Sequence, residues 1–111
     1  MTTSERTINW RGASGTQYKY WILPINTELK DAPGNYIYAK EISPGRWKAL
    51  YIGQTTSLRQ RLASHEKELS ATRGGATHIH VHLSNQNDAV RKEEEADLIA
   101  RCSPPLNEQT P

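Results

Sequence analysis

Two strand-forming runs around one tight turn fix most of what this chain can fold into. Asn35 to Ile42 and Trp47 to Gly53 are rich in strand formers, and Ser43-Pro44-Gly45-Arg46 between them is turn chemistry. Pairing the runs symmetrically about that turn sets Tyr38 opposite Tyr51 and Tyr36 opposite Gly53. Strand side chains alternate faces, so Tyr36, Tyr38 and Tyr51 then share one face. Glycine at position 53 leaves open space in front of Tyr36, where something else can approach.

The remaining elements follow from periodicity. Thr77 to Leu83 alternates strictly, with Ile79, Val81 and Leu83 on one face and His78, His80 and His82 on the other, which predicts a third strand. Ser57-Leu58-Arg59-Gln60 has the pattern of a capping box and predicts a helix start. Leu58, Leu62 and Leu69 supply its buried stripe, Arg61 and His65 share one face at i, i+4, and Arg73-Gly74-Gly75 ends it. Ala89 to Cys102 reads as a second long helix, stopped before Pro104-Pro105. Its apolar positions are Ala89, Ala96, Leu98, Ile99 and Cys102. Glu95 falls in the middle of that stripe, and Glu93 and Glu94 point away to either side. A carboxylate on a buried face must be paired, neutralised or bound to a metal. Upstream, Thr7 to Ile25 predicts a hairpin, with Ile8 and Trp10 alternating, Gly12-Ala13-Ser14-Gly15 as the turn, and Tyr18 to Leu23 as the second arm. The first residues, to Arg6, and Glu108 to Pro111 read as frayed ends.

Composition narrows the class. At 111 residues the chain reads as one domain, and its hydrophobic fraction of 35% implies a small core. A net charge of +2 permits contact with nucleic acid without the clustered basic stripe of a dedicated binder. Cys102 is the single cysteine, so no internal disulfide forms and a reducing compartment is expected. No apolar run is long enough to span a bilayer, and the polar start is no secretory signal. The expectation is a cytoplasmic protein with no membrane partner.

Cutting a phosphodiester needs a positioned nucleophile, charge compensation in the transition state and help for the leaving oxygen. Arginine suits the phosphate because its fork is always charged and can bond two oxygens. A carboxylate suits Mg²⁺, which keeps several waters and takes one or two protein ligands. A tyrosine can accept a proton from water only if its pKa falls well below about 10, and a nearby cation can lower it. Tyr36, Tyr51, Arg61, His65 and Glu95 supply these parts. Each has a plain reading as well. Strand tyrosines pack, Arg61 can be a solvated helix residue, His65 can pair with Glu68, Arg91 can pair with Glu95, and Asn107 can be a turn residue.

Gly34-Asn35-Tyr36, Tyr51-Ile52-Gly53, Leu58-x-x-Arg61-Leu62, His65, Glu95 and Asn107 together resemble the GIY-YIG nuclease superfamily, from about Pro33 to Asn107. The resemblance implies an α+β domain at 33–107, a small three-stranded antiparallel sheet flanked by helices; outside it, residues 1–32 are read as an extra N-terminal β-hairpin packed on that domain and 108–111 as a tail. It implies a metal-dependent endonuclease hydrolysing phosphodiester bonds in DNA, with a role such as DNA repair. In that frame Tyr36 and Tyr51 line the active face, and Tyr36 by preference deprotonates or orients the attacking water. Arg61 steadies the scissile phosphate, His65 assists as a hydrogen-bond or proton partner, and Asn107 fixes the geometry. Glu95 holds one divalent cation, Mg²⁺ or Mn²⁺. Gly53, Gln54, Lys40, Arg59 and Arg73 are candidate substrate-binding positions. The chain departs from the pattern twice. Asn35 stands where the family name has isoleucine, with its side chain directed away from Tyr36. Gln54 stands where many members carry lysine, which implies low or substrate-restricted activity.

With no separate reader module, recognition of a branched, nicked or exposed structure is expected over sequence readout. The alternatives are a nucleic-acid-binding or scaffolding module with the nuclease fold and little turnover, and an RNA-directed nuclease. His78, His80 and His82 on one flat strand converge poorly on a zinc ion, since alternate side chains lie about 6.6 Å apart; a solvated face is the expectation. Trp10, Trp21, Tyr18 and Tyr20 are expected to cover the sheet or a protein partner, including a second copy held through the hairpin, more than to stack on bases.

Overall fold

The structure, a computed structural model, describes residues 6–63 and 65–107; the frayed ends expected at 1–5 and 108–111 lie outside the described residues. Eight elements follow along the chain: β1 (Thr7–Arg11), β2 (Gln17–Pro24), β3 (Gly34–Ser43), β4 (Arg46–Thr55), α1 (Leu58–Ala63), α2 (Glu68–Arg73), β5 (His78–Leu83) and α3 (Asp88–Cys102). The strands form one sheet in the order β1-β2-β5-β3-β4, antiparallel throughout.

This corrects the expected three-stranded sheet with an appended hairpin. β2 pairs with the outer edge of β5, Trp21 opposite Val81 and Leu23 opposite Ile79, so the hairpin extends one sheet to five strands. The physical reason is that a bare β5 edge would leave a row of backbone donors and acceptors unpaired. β2 is also apolar toward both faces. Tyr18 and Tyr20 join one core cluster, and Trp21 and Leu23 join the other. A strand buried on both sides reads this way.

The β3–β4 register is the one the turn dictates. Tyr36 faces Gly53 and Tyr38 faces Tyr51, and Gly45 takes φ 78° in the turn, a conformation glycine adopts without strain. Two register shifts, one after Tyr38 and one between Glu41 and Ser43, offset each other. One face of the sheet packs Tyr20, Ile37, Ala39, Ala49 and Ile52 with Leu98 of α3. The other packs Tyr36, Tyr38, Ile79 and Val81 with Leu58 of α1 and Ala71 of α2.

The long first helix is not realised as one piece. Its start is as expected: the Ser57 hydroxyl accepts the Gln60 N–H at 3.2 Å. It ends at Ala63, α2 begins at Glu68, and Leu69 is 60% exposed and outside the stripe. His65 lies in the link, so the i, i+4 stacking with Arg61 does not occur. Its own backbone and ring hold the break. The His65 carbonyl accepts the Glu68 N–H at 3.1 Å and its Nδ1 accepts the Lys67 N–H at 2.9 Å.

The histidine face of β5 is covered, not solvated. His80 is fully buried, accepts the Trp10 indole N–H on Nδ1 at 2.9 Å and meets the Trp47 ring edge-on. The aromatic residues β1 and β2 bring to that face displace water from it. Among the described residues no helix is long and apolar enough to cross a membrane.

Candidate active site

The face carrying α1 and α2 holds a cup of three tyrosines around one histidine. The His65 ring stands edge-on to Tyr36, Tyr38 and Tyr51, with ring centroids 5.3, 5.4 and 5.2 Å away. β3 supplies the first two tyrosines and β4 the third. Pairing of Tyr38 with Tyr51 brings the strands into line, and the break between α1 and α2 lowers the histidine into the cup. Tyr36 Oη and His65 Nε2 are 2.7 Å apart. Tyr38, which the motif reasoning left out of the site, shares this cluster and donates to Glu68 at 3.5 Å.

The protonation of His65 follows from its partners. Its Nδ1 receives a backbone N–H, which can only donate, so the neutral ring carries its proton on Nε2. Nε2–H therefore donates to Tyr36 Oη. Burial, with Arg61 adding, pushes the His65 pKa down to about 4, so the ring is neutral near pH 7. His65 in this state is a donor that can stabilise a Tyr36 phenolate; it has no free nitrogen to take the tyrosine's proton. The Tyr36 hydroxyl proton is left to point at whatever enters the cup. Burial raises Tyr36 and Tyr51 above the ordinary phenol range, and Arg61 pulls both back.

Gly53 does not leave open space. A Cβ there would lie 2.5 Å from Tyr36 Cζ and Oη, so the missing side chain accommodates the tyrosine ring itself. Arg61 acts on both tyrosine hydroxyls, but its fork is bound by Glu66, Nη1 to Oε1 at 2.8 Å and Nη2 to Oε2 at 3.0 Å. Sequence spacing hides Glu66. It follows Arg61 by five residues, a helical offset that faces apart, and only the break turns it back.

The glutamates of α3 sort differently from the stripe argument. Glu94, expected to point away, is buried; it accepts the Tyr20 hydroxyl at 2.7 Å and His82 Nδ1 at 2.9 Å. The hairpin joining the sheet causes this, because β2 carries Tyr20 under α3. Ala89 and Ala96 are exposed, so the buried face of α3 is Arg91, Glu94 and Leu98. Glu95 is half-buried and makes no hydrogen bond or ion pair among the described residues. Its charge is felt by both Tyr36 and Tyr51. Burial raises its carboxyl pKa, with Lys92 opposing. Arg91 does not pair with it. That guanidinium binds Asp88, the Ser84 and Gln86 carbonyls, and Gln54 Oε1 at 3.3 Å.

The other predicted positions scatter. Asn107 grips the outer edge of β4: its Oδ1 accepts the Ile52 N–H at 2.7 Å and its Nδ2 donates to the Ile52 carbonyl at 2.8 Å. This holds the Tyr51-Ile52-Gly53 segment in place. Gln54 and Asn35 are cross-strand partners turned to α3, away from the cup. Arg59 lines a 480 Å³ cavity with Tyr38 and bonds the Leu29 carbonyl. Lys40 lies over Gly75, and Arg73 is exposed at the end of α2.

For a divalent cation, among the described residues no three His, Cys, Asp or Glu side chains are gathered to hold one. A single half-buried carboxylate without a bonding partner still fits Mg²⁺, which is content with one protein ligand and its waters. Glu95 is that carboxylate. No family model, curated protein or solved structure matches this chain.

Proposed function

We propose that this chain is a metal-dependent endonuclease of the GIY-YIG type, hydrolysing phosphodiester bonds in DNA and directed by the shape of its substrate. One observation carries the reading: Tyr36, Tyr51, His65 and Arg61 meet on one face of the sheet, with Glu95 within electrostatic reach of both tyrosines. In this reading Arg61 binds the scissile phosphate and offsets its developing charge. Tyr36 first releases its hydroxyl proton to solvent, and the phenolate, stabilised by the His65 Nε2–H and Arg61, orients the attacking water and takes its proton. Glu95 would hold Mg²⁺ or Mn²⁺, which supplies charge stabilisation for the leaving oxygen. Asn107 keeps the Tyr51 strand in position.

A second reading has a specific observation in its favour. Glu66 occupies the Arg61 fork, and burial raises both phenols, away from what a base requires. A module that binds nucleic acid with little turnover fits those two facts.

The test is a panel of end-labelled duplex, nicked, branched and single-stranded DNA, with matching RNA, incubated with Mg²⁺ or Mn²⁺. The nuclease reading expects cleavage of a structured DNA by the wild type and none by Glu95→Ala. Tight binding without products supports the second reading. Preferential cutting of RNA moves the substrate class, and equal cleavage by both proteins removes Glu95 from the mechanism.

A further inference from the structure

We propose that Glu66 is an internal stand-in for the substrate phosphate: its carboxylate fills the Arg61 fork in the free protein and is displaced when a phosphodiester binds. The inference deepens the nuclease reading and rests on its assignment of Arg61 to the phosphate.

The geometry is that of an oxyanion held by arginine. Both carboxylate oxygens are engaged, one on each terminal nitrogen, at 2.8 and 3.0 Å. Arginine grips phosphate through the same two parallel N–H···O bonds. A phosphodiester carries one negative charge over two free oxygens, as a carboxylate does. The two ligands therefore compete for one set of donors.

The partners are unequal in a way that favours exchange. The Arg61 side chain is 32% exposed and is directed at Tyr36 and Tyr51, whereas the Glu66 side chain is 63% exposed. Glu66 can swing into solvent without losing packing, and its exposure lets water and salt screen the pair, so that an incoming anion can exchange with it. Arg61 also borders a shallow 270 Å³ depression with Thr55, Thr56, Ser57 and Gln60, which gives an incoming group a route to the fork. The chain break explains why the acid is there. The same link that lowers His65 into the tyrosine cup presents the next residue, Glu66, to Arg61.

Competition of this kind reduces apparent affinity by the fraction of time the fork is closed. It also places a negative charge where phosphate must arrive. The penalty applies to any anion that reaches only Arg61, and a substrate with further contacts overcomes it.

The experiment titrates dimethyl phosphate at low ionic strength into protein carrying ¹⁵N-arginine, following the Arg61 side-chain resonances. Glu66→Gln is expected to bind about fivefold more tightly than wild type. Glu93→Gln makes the same charge change at an exposed position of α3 and is expected to bind as wild type does. The gain is expected to vanish in Arg61→Ala/Glu66→Gln. Equal affinity of wild type and Glu66→Gln overturns the proposal, as does an equal gain in Glu93→Gln or a gain that survives loss of Arg61. Because the ligand has no base or sugar and is not cut, the result stands apart from the nuclease reading. Tighter binding by Glu66→Gln without cleavage of any nucleic acid sinks that reading and upholds this one; cleavage without tighter binding does the reverse.

Discussion

Tyr36 Oη and His65 Nε2 sit 2.7 Å apart, and the backbone N–H of Lys67 on His65 Nδ1 fixes which of the two donates. The histidine is the donor, and its neutrality is a property of the fold. The folded pKa near 4 lies below the ordinary 6.5, so folding favours the unprotonated ring. The stability this contributes is fully present above about pH 6.5 and is lost as pH falls through about 4. Buried His80, lowered to about 3, acts in the same direction. Urea midpoints should fall between pH 6.5 and 4, and His65→Gln should flatten part of that slope. Long-range ¹⁵N–¹H correlation at pH 7 should show the His65 Nε2–H tautomer. An Nδ1–H signature there would reverse the direction of the Tyr36 bond.

Gly53 is a contact as well as a strand residue. Gly53→Ala places a methyl 2.5 Å from the Tyr36 ring, so the ring must move. Overpacking of this kind costs about 1–3 kcal/mol. Chemical denaturation should show that loss, and the His65 resonances should shift as the 2.7 Å bond is disturbed.

Glu94 and Glu95 are neighbours with different duties. Glu94→Ala leaves the buried Tyr20 hydroxyl without its acceptor and removes the partner of His82, and should destabilise by about 2–4 kcal/mol. Glu95→Ala breaks no hydrogen bond among the described residues and should change stability by less than about 1 kcal/mol. Parallel thermal melts of the two variants check the separation. Equal losses would show that both glutamates are structural.

Sequence alone placed Tyr36, Tyr38 and Tyr51 on one face, because strand alternation and the Ser43-Pro44-Gly45-Arg46 turn leave little freedom in register. It failed where long-range pairing decides. Nothing local states that β2 joins β5, although apolar residues on both faces of Tyr18 to Leu23 are a signal of it. That one pairing accounts for the five-stranded sheet, the burial of Glu94 and the covered histidine face. The second failure was local. A leucine at position 69 suggested a continuing stripe, but a side-chain and a carbonyl bond from His65 to the turn ahead of α2 outweigh it. The helix break, in turn, is what brings His65 to Tyr36 and Glu66 to Arg61.

Asn107 mimics a strand residue on the edge of β4 through two bonds to Ile52. Asn107→Ala removes both and should cost about 1–2 kcal/mol. Amide exchange at Ile52 should accelerate more than at Ile37, in the centre of the sheet. Unchanged protection at Ile52 would show that the Leu106–Leu50 backbone bond holds this edge without it.

The most direct test of the central claim is the single-turnover rate of Tyr36→Phe with Mg²⁺, on the DNA structure the wild type cuts best. The ring and its packing remain while the hydroxyl beside His65 is gone. A catalytic tyrosine predicts a rate lower by at least about 100-fold in a variant that still folds and binds. A Tyr36→Phe protein that cuts at the wild-type rate, or a wild type that cuts no nucleic acid, would contradict the account.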